Sequence, residues 1–198
     1  LEAAEKVFAD DNNSSQSISN TLNALVKFGY TKDEFNESIN NEVLKAAEKV
    51  FADGNDNSQS ISNTINALAK FNYTKEELIE NNTINNKELL KAAGKVFADG
   101  NGNSQSISNT INALAKFGYT KKELNEFIND GILFGAIEKV FIGNNLQSIS
   151  NTLNALAKFG YTKKELNEFI NDIILFGAIE KVFIGNNLQS ISNTLNAL

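Results

Sequence analysis

A glutamine, two asparagines and a lysine recur along this chain at the offsets 0, 4, 7 and 11. They stand at Gln59, Asn63, Asn66 and Lys70; at Gln105, Asn109, Asn112 and Lys116; and at Gln147, Asn151, Asn154 and Lys158. An earlier copy is Gln16, Asn20, Asn23 and Lys27, and a later one begins at Gln189. On an α-helix these offsets fall on one narrow face. Amide side chains both donate and accept, so such a face can read base edges or a peptide backbone, with lysine adding a cation. The competing reading is a solvated face, or an asparagine ladder satisfying its own hydrogen bonds between repeats.

Other chemistry is poorly provided for. Serines abound, but there is no His or Cys to pair with them as base or nucleophile. Thiolate metal sites and disulfides are excluded for the same reason. Glu138 and Glu180 follow helical spacing and read as surface charges. Asp53–Asn57 and Asp99–Asn103 resemble the start of a calcium loop, but a loop counted from Asp53 has Ser58 at its sixth position and Thr64 at its twelfth, where Gly and Glu are needed. Lys121, Lys122, Lys163 and Lys164 either extend a basic stripe with Lys116 and Lys158 or are first-turn surface lysines. No cofactor is implied.

The polar face belongs to a repeated stretch, Gln-Ser-Ile-Ser-Asn-Thr-Leu/Ile-Asn-Ala-Leu, starting at Gln16, Gln59, Gln105, Gln147 and Gln189. Intervals of 42 to 46 residues mark a repeat array. In this helix, called C, Ile18, Leu22 and Leu25 form an apolar stripe. Ser17, Thr21, Ala24 and Phe28 flank it with residues suited to close helix packing. Ser14, Asn57, Asn103, Asn145 and Asn187 are N-cap candidates. Gly29, Asn72, Gly118 and Gly160 stand where a helix ends in the left-handed region. Next comes a capping box at Thr31/Glu34, Thr74/Glu77, Thr120/Glu123 and Thr162/Glu165, which opens a short helix A. The tyrosines Tyr30, Tyr73, Tyr119 and Tyr161 precede these boxes and are read as fixing the angle between C and A.

A third helix, B, contains Lys-Val-Phe and is expected at Val43–Asp53, Leu89–Asp99, Leu133–Ile142 and Leu175–Ile184. Asn41, Asn86 and Asp130 are its N-cap candidates, and Gly54, Gly100, Gly143 and Gly185 its stops. Breaks between A and B are expected near Asn40, Asn82–Asn86 and Asn129. Around Asn171 the two helices could instead be continuous. Gly135 and Gly177, inside helix B, are expected to serve close packing.

The 198 residues carry 18 Lys and no Arg against 24 carboxylates, a net charge of −6. That balance argues against tight non-specific nucleic-acid binding. No signal peptide or membrane span is recognisable, since the longest apolar run is Ile173–Phe176. Leu1–Ala9 matches Leu44–Ala52, and the last copy of helix C stops at Leu198, so the chain reads as a fragment of a longer array.

The run from Gln147 to Tyr161 resembles the octotricopeptide repeat and the related heptatricopeptide and RAP-associated helical repeats, and is similar to repeats in proteins of intracellular bacteria. Their signature helix looks like Asn-Thr-Leu-Trp-Ala-Leu-Ala-Lys-Leu-Gly. Here the Trp is replaced by Asn23, Asn66, Asn112, Asn154 and Asn196, and the repeat is longer between A and B. The resemblance implies an α-solenoid, and the organellar members are implicated in RNA binding.

These observations predict an all-α fold: a right-handed α-solenoid of armadillo/HEAT-like units of about 42 residues, each with a short helix A and helices B and C. The units are approximately 1–30, 31–73, 74–119, 120–161 and 162–198, with Ile18, Leu22, Leu25, Phe28 and their equivalents buried. The expected function is non-enzymatic recognition of a protein or peptide along stacked C helices. The alternative is sequence-selective binding of single-stranded RNA. No membrane partner is expected.

Overall fold

The computed structural model describes residues 1–52, 57–79, 84–100, 102–185, 187–195 and 197. Among these residues all regular structure is helical and there is no strand. Helix C appears as α2 (Ser15–Lys27), α4 (Ser58–Lys70), α7 (Ser104–Phe117), α10 (Leu146–Phe159) and α13 (Leu188–Leu195). Helix B appears as α1 (Glu2–Ala9), α3 (Glu37–Ala52), α6 (Asn86–Ala98), α9 (Asp130–Ile142) and α12 (Asp172–Ile184). Helix A is a 3₁₀ turn at Lys32–Glu34, then α5 (Lys75–Ile79), α8 (Lys121–Phe127) and α11 (Lys163–Phe169).

Local chemistry sets the ends of helix C. The side chains of Ser14, Asn57, Asn103 and Asn145 accept from the amide three residues on, and Asn187 accepts from the Ser190 amide at 2.9 Å. Each bond satisfies a donor that the helix leaves free. At the other end Gly29, Gly118 and Gly160 have φ near +84°, and Asn72 has φ +68°. A tyrosine amide then closes each turn back onto the helix, as in Tyr119 N–H to Leu114 O at 3.2 Å. The capping boxes form as expected, with Thr120 N–H bonded to Glu123 at 2.8 Å and Glu123 N–H to Thr120 at 3.3 Å.

Helices α2, α4, α7, α10 and α13 pack each on the next, and so do α1, α3, α6, α9 and α12. The core lies between these two rows. Ile61, Ile65 and Leu68 of α4, and Ile107, Ile111 and Leu114 of α7, meet Leu89, Val96 and Leu133 from the B row in one buried cluster. Burial of each large aliphatic side chain contributes about 1.5–3 kcal/mol. Small residues let the C helices approach. Ser60, Ser62, Thr64 and Ala67 of α4 are buried, and Ser62 donates across to the Ser106 carbonyl at 2.9 Å. Ser108 repeats this bond to Ser148 O at 3.0 Å.

Several expectations are corrected. Phe28 is 80% exposed although Phe71, Phe117 and Phe159 are buried. Phe71 packs edge-on against Phe35 of the preceding A segment, with centroids 5.1 Å apart, whereas Phe28 meets no aromatic ring among the described residues. Leu195, the equivalent of Leu22, is also exposed, and Ile191, the equivalent of Ile18, is only partly buried.

Helix B starts earlier than expected. Asn40 and Asn41 lie inside α3, because Ile39 enters the core and carries the helix back to Glu37. The later caps are Asn85, Asn129 and Asn171, each bonded to the amide two residues on. Asn171 therefore separates α11 from α12, and the two are not continuous. Asp53 to Asp56, including Gly54, lie outside the described residues, as do residues 80–83. Gly135 and Gly177 do not serve close packing: a Cβ at either would have no atom within 4 Å.

Candidate functional site

The N-cap stands two residues before the repeated glutamine in every copy, so each C helix begins at the same phase. The stacked helices then present the same side chains in a row. Gln59, Gln105 and Gln147 are exposed, as are Lys70, Lys116 and Lys158. The asparagines between them, Asn63 and Asn66, Asn109 and Asn112, and Asn151 and Asn154, are half-buried.

The glutamines are partly committed to structure. The Gln59 Oε1 accepts from Asn103 Nδ2 at 3.3 Å and from Ser106 Oγ at 3.2 Å, both on α7 or its cap. Gln147 Oε1 accepts from Ser190 Oγ at 3.4 Å. Along the helix, Gln59 Nε2 donates to Asn63 Oδ1 at 3.0 Å, and Gln147 Nε2 to Asn151 Oδ1 at 2.9 Å. These bonds are a ladder of the kind weighed against binding. Asn66, Asn109, Asn112 and Asn154 take no part in it. Their amides form no hydrogen bond among the described residues, and none is sealed from solvent.

Electrostatics separates the lysines into two classes. Lys70, Lys116 and Lys158 have no ion-pair partner among the described residues. Although the residue is exposed overall, partial desolvation against the helix face lowers the Lys116 pKa, and repulsion from Lys70 and Lys158 lowers it further, so the three form one field. Three helix-A lysines behave otherwise. Lys32 pairs with Glu77, Lys75 with Glu123 at 2.9 Å, and Lys121 with Glu165. Each also lies over the tyrosine before that capping box, at 5.9, 5.6 and 4.7 Å from the centroids of Tyr73, Tyr119 and Tyr161. Lys121 thus belongs to neither a basic stripe nor a bare surface.

Sequence reasoning missed this clamp. The tyrosine hydroxyls donate to an asparagine of their own unit, Tyr73 to Asn40, Tyr119 to Asn86 and Tyr161 to Asn125, while the lysine that meets each capping-box glutamate comes from the unit before that glutamate. The capping-box glutamate is therefore shared between its own helix and the unit before it. The Lys121 bond, with help from the Thr162 amide, holds the Glu165 pKa down to about 2. Glu77 is lowered first by Lys32. At Glu123 burial raises the pKa, but the Lys75 and Thr120 bonds outweigh it and the net shift is downward. Burial pushes the three tyrosines well above their ordinary value, with nearby carboxylates adding to the shift. The signal available in the sequence was the constant Tyr-Thr-Lys-x-Glu, whose lysine and glutamate recur together.

No protein-family model matches the chain, and neither a curated protein nor a solved structure is significantly similar to it. The octotricopeptide resemblance therefore rests on the helix C motif alone. Among the described residues no three His, Cys, Asp or Glu side chains come together as a metal site. No helix there is long and apolar enough to cross a membrane. The polar face offers amide donors and acceptors beside cations, with no nucleophile–base pair.

Proposed function

We propose that the chain is a non-enzymatic recognition scaffold that binds a protein or peptide segment along its stacked C helices. In this reading the units of about 42 residues form a right-handed α-solenoid of the armadillo/HEAT class. One observation carries the functional reading. The amides of Asn66, Asn112 and Asn154 recur at one helix position on successive helices, half-buried and without a hydrogen bond among the described residues. Peptide backbone supplies what such amides lack, an acceptor and a donor at regular intervals. Peptide display against the intact chain tests this. Selection should enrich binders that are lost when Asn66, Asn112 and Asn154 are replaced together by Ala. Equal enrichment by the triple variant would remove the site.

Single-stranded RNA is the second reading. The unpaired row of Lys70, Lys116 and Lys158 favours it, together with the resemblance. One lysine per unit, without arginine to fork onto phosphate, predicts weak binding that falls steeply with salt. A titration against RNA pools at low and physiological salt separates the two: tight binding at physiological salt promotes RNA over peptide.

A further inference from the structure

The charge of this chain is segregated. The helices α2, α4, α7 and α10 carry Lys27, Lys70, Lys116 and Lys158 and no carboxylate at all. All 24 acids lie outside these four stretches of the sequence, in a chain of net charge −6. On other elements Lys32, Lys45, Lys75, Lys91 and Lys121 each pair with a carboxylate. Lys70, Lys116 and Lys158 have no carboxylate partner among the described residues, and Lys116 is repelled by the other two.

We propose that the segment bound on this face is an extended acidic peptide that lies across the C helices with a carboxylate at every third residue. The proposal rests on the recognition reading above and narrows it to one ligand chemistry. Packed helices stand about 8–10 Å apart. A polyproline II chain rises about 3.1 Å per residue with three residues per turn, so every third side chain points the same way at a spacing of about 9.3 Å. Carboxylates at i, i+3 and i+6 therefore fall over Lys70, Lys116 and Lys158. A chain in this conformation makes no internal hydrogen bonds. Its backbone groups face the free amides of Asn66, Asn109, Asn112 and Asn154.

The same face suits nucleic acid less well. Single-stranded bases are held by stacking on aromatic side chains or arginine planes. The Gln, Asn, Asn and Lys positions supply neither.

The probe is a synthetic (Glu-Pro-Ser)4 peptide, titrated calorimetrically against the 198-residue chain. Its controls are a peptide with glutamate at every fourth position, a neutral (Gln-Pro-Ser)4 peptide and an oligouridylate. The every-third peptide should bind about tenfold more tightly than either peptide control, as three exposed ion pairs would give. The variant K70Q/K116Q/K158Q should lose that advantage while keeping its helical circular dichroism, since all three side chains are exposed. Equal binding of the every-third and every-fourth peptides overturns the proposal. Equal binding of the neutral peptide also overturns it, but leaves peptide recognition standing. Absence of binding by every peptide overturns both. Oligouridylate that displaces the peptide at physiological salt replaces the proposal with a nucleic-acid face.

Discussion

Gly118 holds φ +85°, and a Cβ there would have no atom within 4 Å. Its constraint is conformational alone. Gly118→Ala should cost about 1–2 kcal/mol, the penalty of a left-handed L-residue, and Gly118→Val more. Asn72, at φ +68°, does the same work with a side chain that tolerates it, so Asn72→Gly should be neutral or slightly stabilising. Thr64, Thr110 and Thr152 pose the opposite case. They are fully buried, and their hydroxyls have no hydrogen-bond partner among the described residues. Their counterpart Thr21, only half-buried, donates to Ser17 O at 2.9 Å. Thr110→Val keeps the shape and removes an unsatisfied group, so it should raise stability by about 1 kcal/mol. Chemical denaturation measures all of these, and a lower midpoint for Thr110→Val would show that the hydroxyl is needed.

Helix B is the element with slack in it. Gly135 is exposed and Gly177 half-buried, and both sit in open space within α9 and α12. Alanine at either position should stabilise its helix by about 0.5–1 kcal/mol, through helix propensity and a less mobile unfolded chain. Thermal melts of the two single variants and the double variant check this; the sites lie in successive units, so their effects should add. A loss of stability at Gly135→Ala would mean that the glycine meets a surface absent from the isolated chain. The caps are the element's other control. Asn129→Ala removes the acceptor for the Gly131 amide, which is bonded at 2.8 Å, and should cost about 1 kcal/mol.

For the whole molecule, the Lys–Glu–Tyr clamp joins the four units from residue 31 onward in succession, and its glutamates carry the pH dependence. Glu77, Glu123 and Glu165 have folded pKa values below the ordinary glutamate value. A lowered carboxylate contributes stability above its unfolded pKa and loses it as the pH falls through the folded one. Stability should therefore decline as pH drops below about 4.5, with the Glu165 share persisting until about pH 2. The variant E77Q/E123Q/E165Q should be less stable than the parent at pH 7 and show a shallower loss over that window. Parallel unfolding curves for parent and variant between pH 7 and pH 2.5 would rule out the clamp as the source.

What could be read from the sequence was what depends on neighbours within a few residues. The N-caps at Asn57, Asn103 and Asn145, the left-handed Asn72 and Gly118, and the capping boxes are all bonds across two to five positions. Their residue types carry their geometry. The start of helix B was less legible, because Asn85 and Asn86, or Asn129 and Asp130, are adjacent polar residues that both suit a cap. Only packing chose between them, and burial of Ile39 drew α3 past Asn40. The clamp was invisible for a different reason. Its lysine and glutamate are separated by 45, 48 and 44 residues, a distance that helical periodicity does not span. The polar face shows both limits. Its alignment on each helix follows from 3.6-residue periodicity, whereas tertiary stacking decided that Gln59 would brace the next unit while Asn112 stayed free. Small flanking residues brought neighbouring C helices close enough for the longer side chain to reach across.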